Sequence, residues 1–145
     1  MFAGKMLSQN VKINSVYDPT TGTSTGIVAT NTVDMTGFGG CLFLATIGAT
    51  STAVSMTVQA ATSTTAGDFA TLTKGTTNVT LSTTASNGAL YIDVVNPTSR
   101  YLRCTWNSTG AGNTGGGIVA IQYGARVAPT TNTTDILASE AFVST

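Results

Sequence analysis

Apolar residues fall at every second position through much of the chain. Between residues 54 and 60, Val54, Met56, Val58 and Ala60 alternate with Ser55, Thr57 and Gln59, the period of a β-strand with one buried face. A helix over the same residues would bury Ser and Thr. The pattern repeats where Leu90, Ile92 and Val94 alternate with Tyr91, Asp93 and Val95, and where Leu102, Cys104 and Trp106 alternate with Tyr101, Arg103 and Thr105. Residues 41–47 and 118–123 are apolar on both faces, as expected of strands covered on two sides by a second sheet or a neighbouring subunit. Shorter strands are predicted over residues 11–16, 27–35, 69–72 and 79–81.

Turn-forming residues separate these runs. Asp18-Pro19-Thr20-Thr21-Gly22, Gly37-Phe38-Gly39-Gly40, Asn87-Gly88 and Asn96-Pro97 favour reversals through fixed or positive φ and local side-chain hydrogen bonds. The longest predicted loop is the Gly/Thr/Asn stretch 107–117, placed at one end of the fold. Eight or nine short strands with regular turn signals and no convincing helix predict an all-β fold, an antiparallel β-sandwich. Jelly-roll and immunoglobulin-like topologies both satisfy this pattern. The reading divides the chain into an N-terminal arm (1–10), a sandwich domain (11–128) and a C-terminal arm (129–145). The last of these carries Ile136, Leu137, Ala141, Phe142 and Val143, an apolar group that either folds back on the domain or docks on a partner, since an isolated tail would leave it in water.

Composition narrows the function. The 145 residues suit one domain. Only 8% are charged, against about 25% in ordinary globular domains, so Ser and Thr must make the surface polar. Six basic and six acidic side chains cancel, which removes the electrostatic footprint of a nucleic-acid or anionic-membrane binder. The apolar stretch 37–49 is Gly-rich and falls short of the roughly 20 residues a spanning helix requires. No secretory signal is read at the start, so synthesis in a cytoplasm is expected, and Cys41 and Cys104 are expected to be buried free thiols.

Chemistry is sparse. With no histidine, Ser-His-Asp and Cys-His mechanisms lack their base, and His-containing zinc sites cannot form. A glycosidase needs only two facing carboxyls, but Asp18, Asp34, Asp68, Asp93, Asp135 and Glu140 are scattered and mostly close to turns. A calcium loop would cluster its oxygen ligands, whereas residues 18–22 offer one carboxylate. The glycines at 37, 39 and 40 lead into a strand and lack the Gly-Lys-Ser/Thr of a phosphate loop. No enzyme activity, cofactor or metal is expected. Tyr91, Tyr101, Trp106 and Tyr123 could stack on sugars, although parity assigns Trp106 to the core and Tyr101 to the opposite face. Arg100, Arg103 and Arg126 suit ion pairs or subunit contacts, because a guanidinium bonds carboxylates and carbonyls at two points.

Three segments carry a family resemblance: Asn87-Gly88-Ala89-Leu90-Tyr91-Ile92-Asp93, then Asn96-Pro97-Thr98-Ser99-Arg100-Tyr101-Leu102-Arg103, and Ala120-Ile121-Gln122-Tyr123-Gly124-Ala125-Arg126. Together with the upstream residues 42–49, 59–61 and 68–72, they resemble the capsid decoration, or cement, proteins of tailed bacteriophages. The resemblance spans most of the chain and rests on strand-and-turn patterns. It implies a β-sandwich on the outer capsid surface of the virion that bridges major capsid protein subunits and self-associates, commonly as a homotrimer at three-fold positions. Contact with the capsid is then expected at the arms, through Phe2, Met6 and Leu7 at one end and Ile136, Leu137, Phe142 and Val143 at the other. Subunit contacts are expected at Arg100, Arg103 and Arg126. A carbohydrate-binding adhesion module, or a neck, tail or head-fibre component, shares the same sequence pattern.

Overall fold

A computed structural model of the chain describes residues 10–18, 26–50, 52–74, 77–78, 80–84, 86–108 and 115–126. The arm residues Phe2, Met6, Leu7, Ile136, Leu137, Phe142 and Val143, and the turn over residues 19–22, lie outside these residues. Among the described residues there are twelve strands: β1 (Lys12–Tyr17), β2 (Gly26–Ala29), β3 (Val33–Asp34), β4 (Gly40–Ile47), β5 (Val54–Ala61), β6 (Ala70–Thr71), β7 (Thr73–Lys74), β8 (Thr77–Asn78), β9 (Thr80–Thr83), β10 (Gly88–Val95), β11 (Tyr101–Ser108) and β12 (Gly115–Tyr123). One short 3-10 turn, Ala66–Asp68, interrupts them.

Two antiparallel sheets form the sandwich. One has the order β1-β12-β4-β10, and the other the order β2-β11-β5-β6, with β3 also on β11 and β9 also on β5. Counting β2 with β3, and β6 to β9 together, gives eight strand positions in the orders 1-8-3-6 and 2-7-4-5. Positions 4 and 5 are neighbours in one sheet, whereas all the remaining successive positions switch sheets and pair with strands far apart in sequence, which is jelly-roll connectivity. This selects one of the two topologies that the strand pattern allowed.

Alternation explains the core. Val54, Met56 and Val58 of β5, Leu102, Cys104 and Trp106 of β11, Cys41, Phe43, Ala45 and Ile47 of β4, and Ile118 and Ala120 of β12 point between the sheets and are buried. Burying such a face removes apolar area from water at about 25 cal/mol per Å². Trp106 therefore sits where its parity placed it. Both cysteines are buried and free. Burial pushes the Cys41 thiol up to about 12 and raises Cys104 as well, so neither is a ready nucleophile.

Three local departures from the predicted strands have physical causes. The expected strand over residues 27–35 is split, because Thr30 turns inward against β11: its N–H donates to the Cys104 carbonyl at 2.8 Å, and its Oγ1 accepts from the Cys104 N–H at 2.9 Å. A single side chain thus replaces a ladder bond. The predicted loop 107–117 loses both ends to β11 and β12. On the β12 side the register slips between Gly115 and Ile118, where Gly117 has φ +95°, a bulge conformation that an L side chain resists. Finally, Asn87 and Asn96 adopt φ of 58° and 48°. Their N–H groups bond the carbonyls of Gly48 at 2.9 Å and Gly39 at 2.7 Å, pinning β10 to β4 at both ends.

Candidate functional site

The outer faces of the two sheets differ in chemistry. On the β5/β11 face, Ser55, Thr57 and Gln59 lie beside Asn107, Thr105 and Arg103, a hydroxyl and amide surface suited to water. On the other sheet the strand registers place three rows side by side. Ile13, Ile121, Leu42 and Asp93 form one row; Ser15, Val119, Leu44 and Tyr91 form the next; Tyr123, Gly40 and Val95 form the third. Leu42, Leu44, Val119 and Ile121 are half-buried, while Tyr91 and Val95 are each 63% exposed. The predicted two-faced apolar strands β4 and β12 are thus covered by the second sheet on their inner side and build an apolar surface on their outer side.

That surface has one polar clasp. The Tyr123 hydroxyl donates to Asp93 Oδ1 at 2.6 Å, reaching from β12 across β4 to β10. The ring passes directly over Gly40, where any Cβ would overlap it. Glycine at this position therefore lets the phenol lie flat on the sheet. Burial, followed by the hydrogen bond and charge of Asp93, pushes the Tyr123 hydroxyl up to about 12.

At one end of the sandwich a cleft of about 370 Å³ brings Arg100 and Arg126 together with Met35, Phe38, Pro97 and Thr98. Arg100 forks onto Asp34: Nε donates to Oδ1 at 3.1 Å and Nη2 to Oδ2 at 2.8 Å. Asp34 also accepts from the N–H and hydroxyl of Thr36, at 2.9 and 2.7 Å. The Arg100 hydrogen bond, with those from Thr36, holds the Asp34 carboxyl well below the usual carboxylate range, against a smaller opposing effect of burial. A depressed folded-state pKa contributes stability above the unfolded value of about 3.9, and this is lost as pH falls below it. Asp34→Asn should therefore lower the melting temperature at pH 7 and flatten its fall between about pH 5 and pH 2. The gap between variant and wild type should close as the pH drops.

Arg103 lies apart from the other two arginines, on the polar face. Its Nε donates to Gln59 Oε1 at 2.8 Å and Nη2 to the Ala66 carbonyl at 3.3 Å, while the guanidinium stacks 4.1 Å from the Phe69 ring centroid. These contacts are all within the chain and staple the loop around the 3-10 turn to β5 and β11. A neutral hydrogen bond is worth about 1 kcal/mol and an exposed cation–π contact about 0.5–1 kcal/mol. Arg103→Ala should therefore cost about 1–2 kcal/mol and raise amide exchange across residues 62–69 before the rest of the sheet. Sequence reasoning gave no signal for this role, because strand pairing brings Gln59 to Arg103 and the 3-10 turn brings Ala66.

Among the described residues the carboxylates do not converge. Asp34 pairs with Arg100, Asp93 with Tyr123, and Asp68 accepts from Ser63 Oγ at 2.5 Å; Asp135 and Glu140 lie outside the described residues. Among the described residues no group of three His, Cys, Asp or Glu side chains is placed to hold a metal ion. The aromatic residues do not form one platform either. Tyr91 and Tyr123 lie on the apolar face, Tyr101 lies on the polar one beneath Arg100, and Trp106 is in the core.

No protein-family model matches the sequence, and no curated protein matches it. Among solved structures, SPBc2 prophage-derived protein YomS superposes with a TM-score of 0.52 at 14% identity, over 84% of this chain and 98% of that one. PirA aligns with a TM-score of 0.40 at 10% identity, over 85% of this chain and 99% of that one. The likeness to the prophage-derived protein is one of fold: an all-β, two-sheet sandwich.

Proposed function

We propose that the protein is a non-enzymatic structural component of a bacteriophage virion, decorating the outer capsid surface by bridging major capsid protein subunits. The observation that carries this reading is the apolar face built by Leu42, Leu44, Val119 and Ile121, whose one charge is the Tyr123-bonded Asp93, set back to back with a hydroxyl-rich face. A sandwich with one wet and one apolar outer face suits a module that lies on a larger surface and presents its other side to solvent. The fold shared with a prophage-derived protein supports the same setting. Each contact at such a site is small, but repetition over a closed shell adds through multivalency. The terminal residues Phe2, Met6, Leu7, Ile136, Leu137, Phe142 and Val143 extend the proposed capsid contact beyond the sheet.

Quantitative mass spectrometry of density-purified virus particles tests the proposal. Copy numbers at parity with the major capsid protein, or at a simple fraction of it, are expected. A handful of copies per particle would indicate a neck or fibre component, and absence from particles would overturn the virion reading. Capsids reconstituted with Leu44→Ser/Val119→Ser protein should bind it weakly while its cooperative melt is retained.

A further inference from the structure

The two edges of the β1-β12-β4-β10 sheet are unequal. β1 carries Lys12 and a register shift between Ser15 and Tyr17, a charge and a bulge of the kind that protect an edge from foreign pairing. β10 has neither. It is eight residues long, pairs with β4 without a register break from Gly88 to Val95, and contains neither Lys nor Pro. Among the described residues β4 is its single strand partner, so its other side presents the unpaired backbone groups that template strand addition. Tyr91 and Val95, the large hydrophobic residues most exposed among those described, both lie on it. Its inward side chains Leu90 and Val94 are covered by the core in part, whereas Ile92 is buried.

We infer that β10 is a self-association edge and that its occupant is β10 of a second copy of this chain, paired antiparallel about a two-fold axis through Ile92. The strand's own sequence selects the partner. Pairing that keeps inner faces together must place residues of like parity opposite each other. Centred on Ile92, the register sets Leu90 against Val94 and Ile92 against Ile92 on the inner face. On the outer face it sets Tyr91 against Asp93 and Ala89 against Val95. Each copy then offers a phenol donor to the other's Asp93, which already accepts from its own Tyr123 through Oδ1 and keeps a second oxygen. Moving the axis by one residue to Asp93 would set two carboxylates face to face, which is repulsive. The bonds from Asn87 and Asn96 hold the strand in place at both ends, so little ordering remains to be done on association. The result is one continuous eight-stranded sheet across the pair, with two apolar outer faces in one plane. A two-fold pair differs from the homotrimer implied by the family resemblance.

The test uses the full chain in solution, so it succeeds or fails independently of the virion reading. Sedimentation equilibrium over a concentration series should give twice the 14.7 kDa chain mass. Tyr91→Asp sets carboxylates against Asp93 twice across the axis and should weaken the pair by roughly tenfold or more, with the cooperative melt retained. Tyr91→Asp/Asp93→Lys restores opposite charges in that register and should recover the dimer. Ala89→Lys/Val95→Lys, both at exposed positions, provides a second disruption if the first variant folds poorly. A monomeric or trimeric wild type, a dimer indifferent to both disruptions, or a charge swap that fails to rescue would each overturn the assignment.

Discussion

Phe43→Ala should lower the stability of the protein by about 3–5 kcal/mol. Phe43 is fully buried on β4, an interior strand between β12 and β10. Directly opposite it are Ala120 on one side and Ile92 on the other. Alanine cannot reach into the vacated space, and Ile92 is already buried, so much of the cavity should persist and add to the lost transfer energy. Against the roughly 5–15 kcal/mol that holds an ordinary domain together, this is a large fraction. Urea unfolding should show a lower midpoint with an unchanged slope. Leu44→Ala, one residue along, should cost much less, since its side chain lies on the outer face and is half-buried. Equal losses at positions 43 and 44 would mean that the outer face is packed as tightly as the core.

That contrast marks where the sequence could be read and where it could not. Strands β5 and β11 were legible because each has one apolar and one polar parity, and the apolar parity is the buried one; in β10 the parity of Leu90, Ile92 and Val94 faces inward although Tyr91 and Val95 stand on the other side. In β4 and β12 both parities are apolar, so the alternation carried no information about which face turns inward. Hence Gln122 was not recognisable as a core residue: it sits in an apolar strand whose other face holds Val119, Ile121 and Tyr123. The turns at Asn87 and Asn96 were legible because positive φ has a local chemical signature. Strand order was not, because jelly-roll neighbours such as β1 and β12 meet across most of the chain. The arginines divide in the same way. Their chemistry suited forked contacts, but the partners of Arg103, Gln59 and Ala66, are fixed by a strand pairing and a distant turn that no local pattern reports.

The apolar face and the β10 edge depend on the same local device. Tyr123 can reach Asp93 because Gly40 leaves the sheet flat beneath it, and Asp93 is the residue that the proposed register sets against Tyr91 of a second copy. A side chain at position 40 would lift the phenol, remove that acceptor's existing partner and roughen the surface in one step. The proposed capsid docking and the proposed self-association would therefore both depend on one glycine, although they use different parts of the sheet.

Gln122→Leu should cost about 2–4 kcal/mol, although it replaces a polar side chain with an apolar one of similar size in the middle of the sandwich. Gln122 is 1% exposed. Its Oε1 accepts from Asn14 Nδ2 at 2.9 Å, and its Nε2 donates to the Asp34 carbonyl at 2.7 Å and lies 3.7 Å from the Met35 sulfur. The amide thus ties β1 and β12 to the turn that carries the Asp34–Arg100 fork. Leucine would leave the Asn14 amide and the Asp34 carbonyl without these partners, and each unmet buried group costs about 1–3 kcal/mol. The gain from burying extra carbon does not offset that, because the side chain stem is buried already. Gln122→Glu separates donor from acceptor. A carboxylate can still accept from Asn14 but has nothing to donate to the Asp34 carbonyl, and it places a buried charge beside that oxygen. The introduced carboxyl should hold its proton to a higher pH than the usual carboxylate. Because the protonated form can donate, this variant should gain stability as pH falls from 8 towards about 5, the range in which wild type should change little. A Gln122→Glu variant that is equally stable across that range would show that the bond to the Asp34 carbonyl contributes nothing to holding the turn.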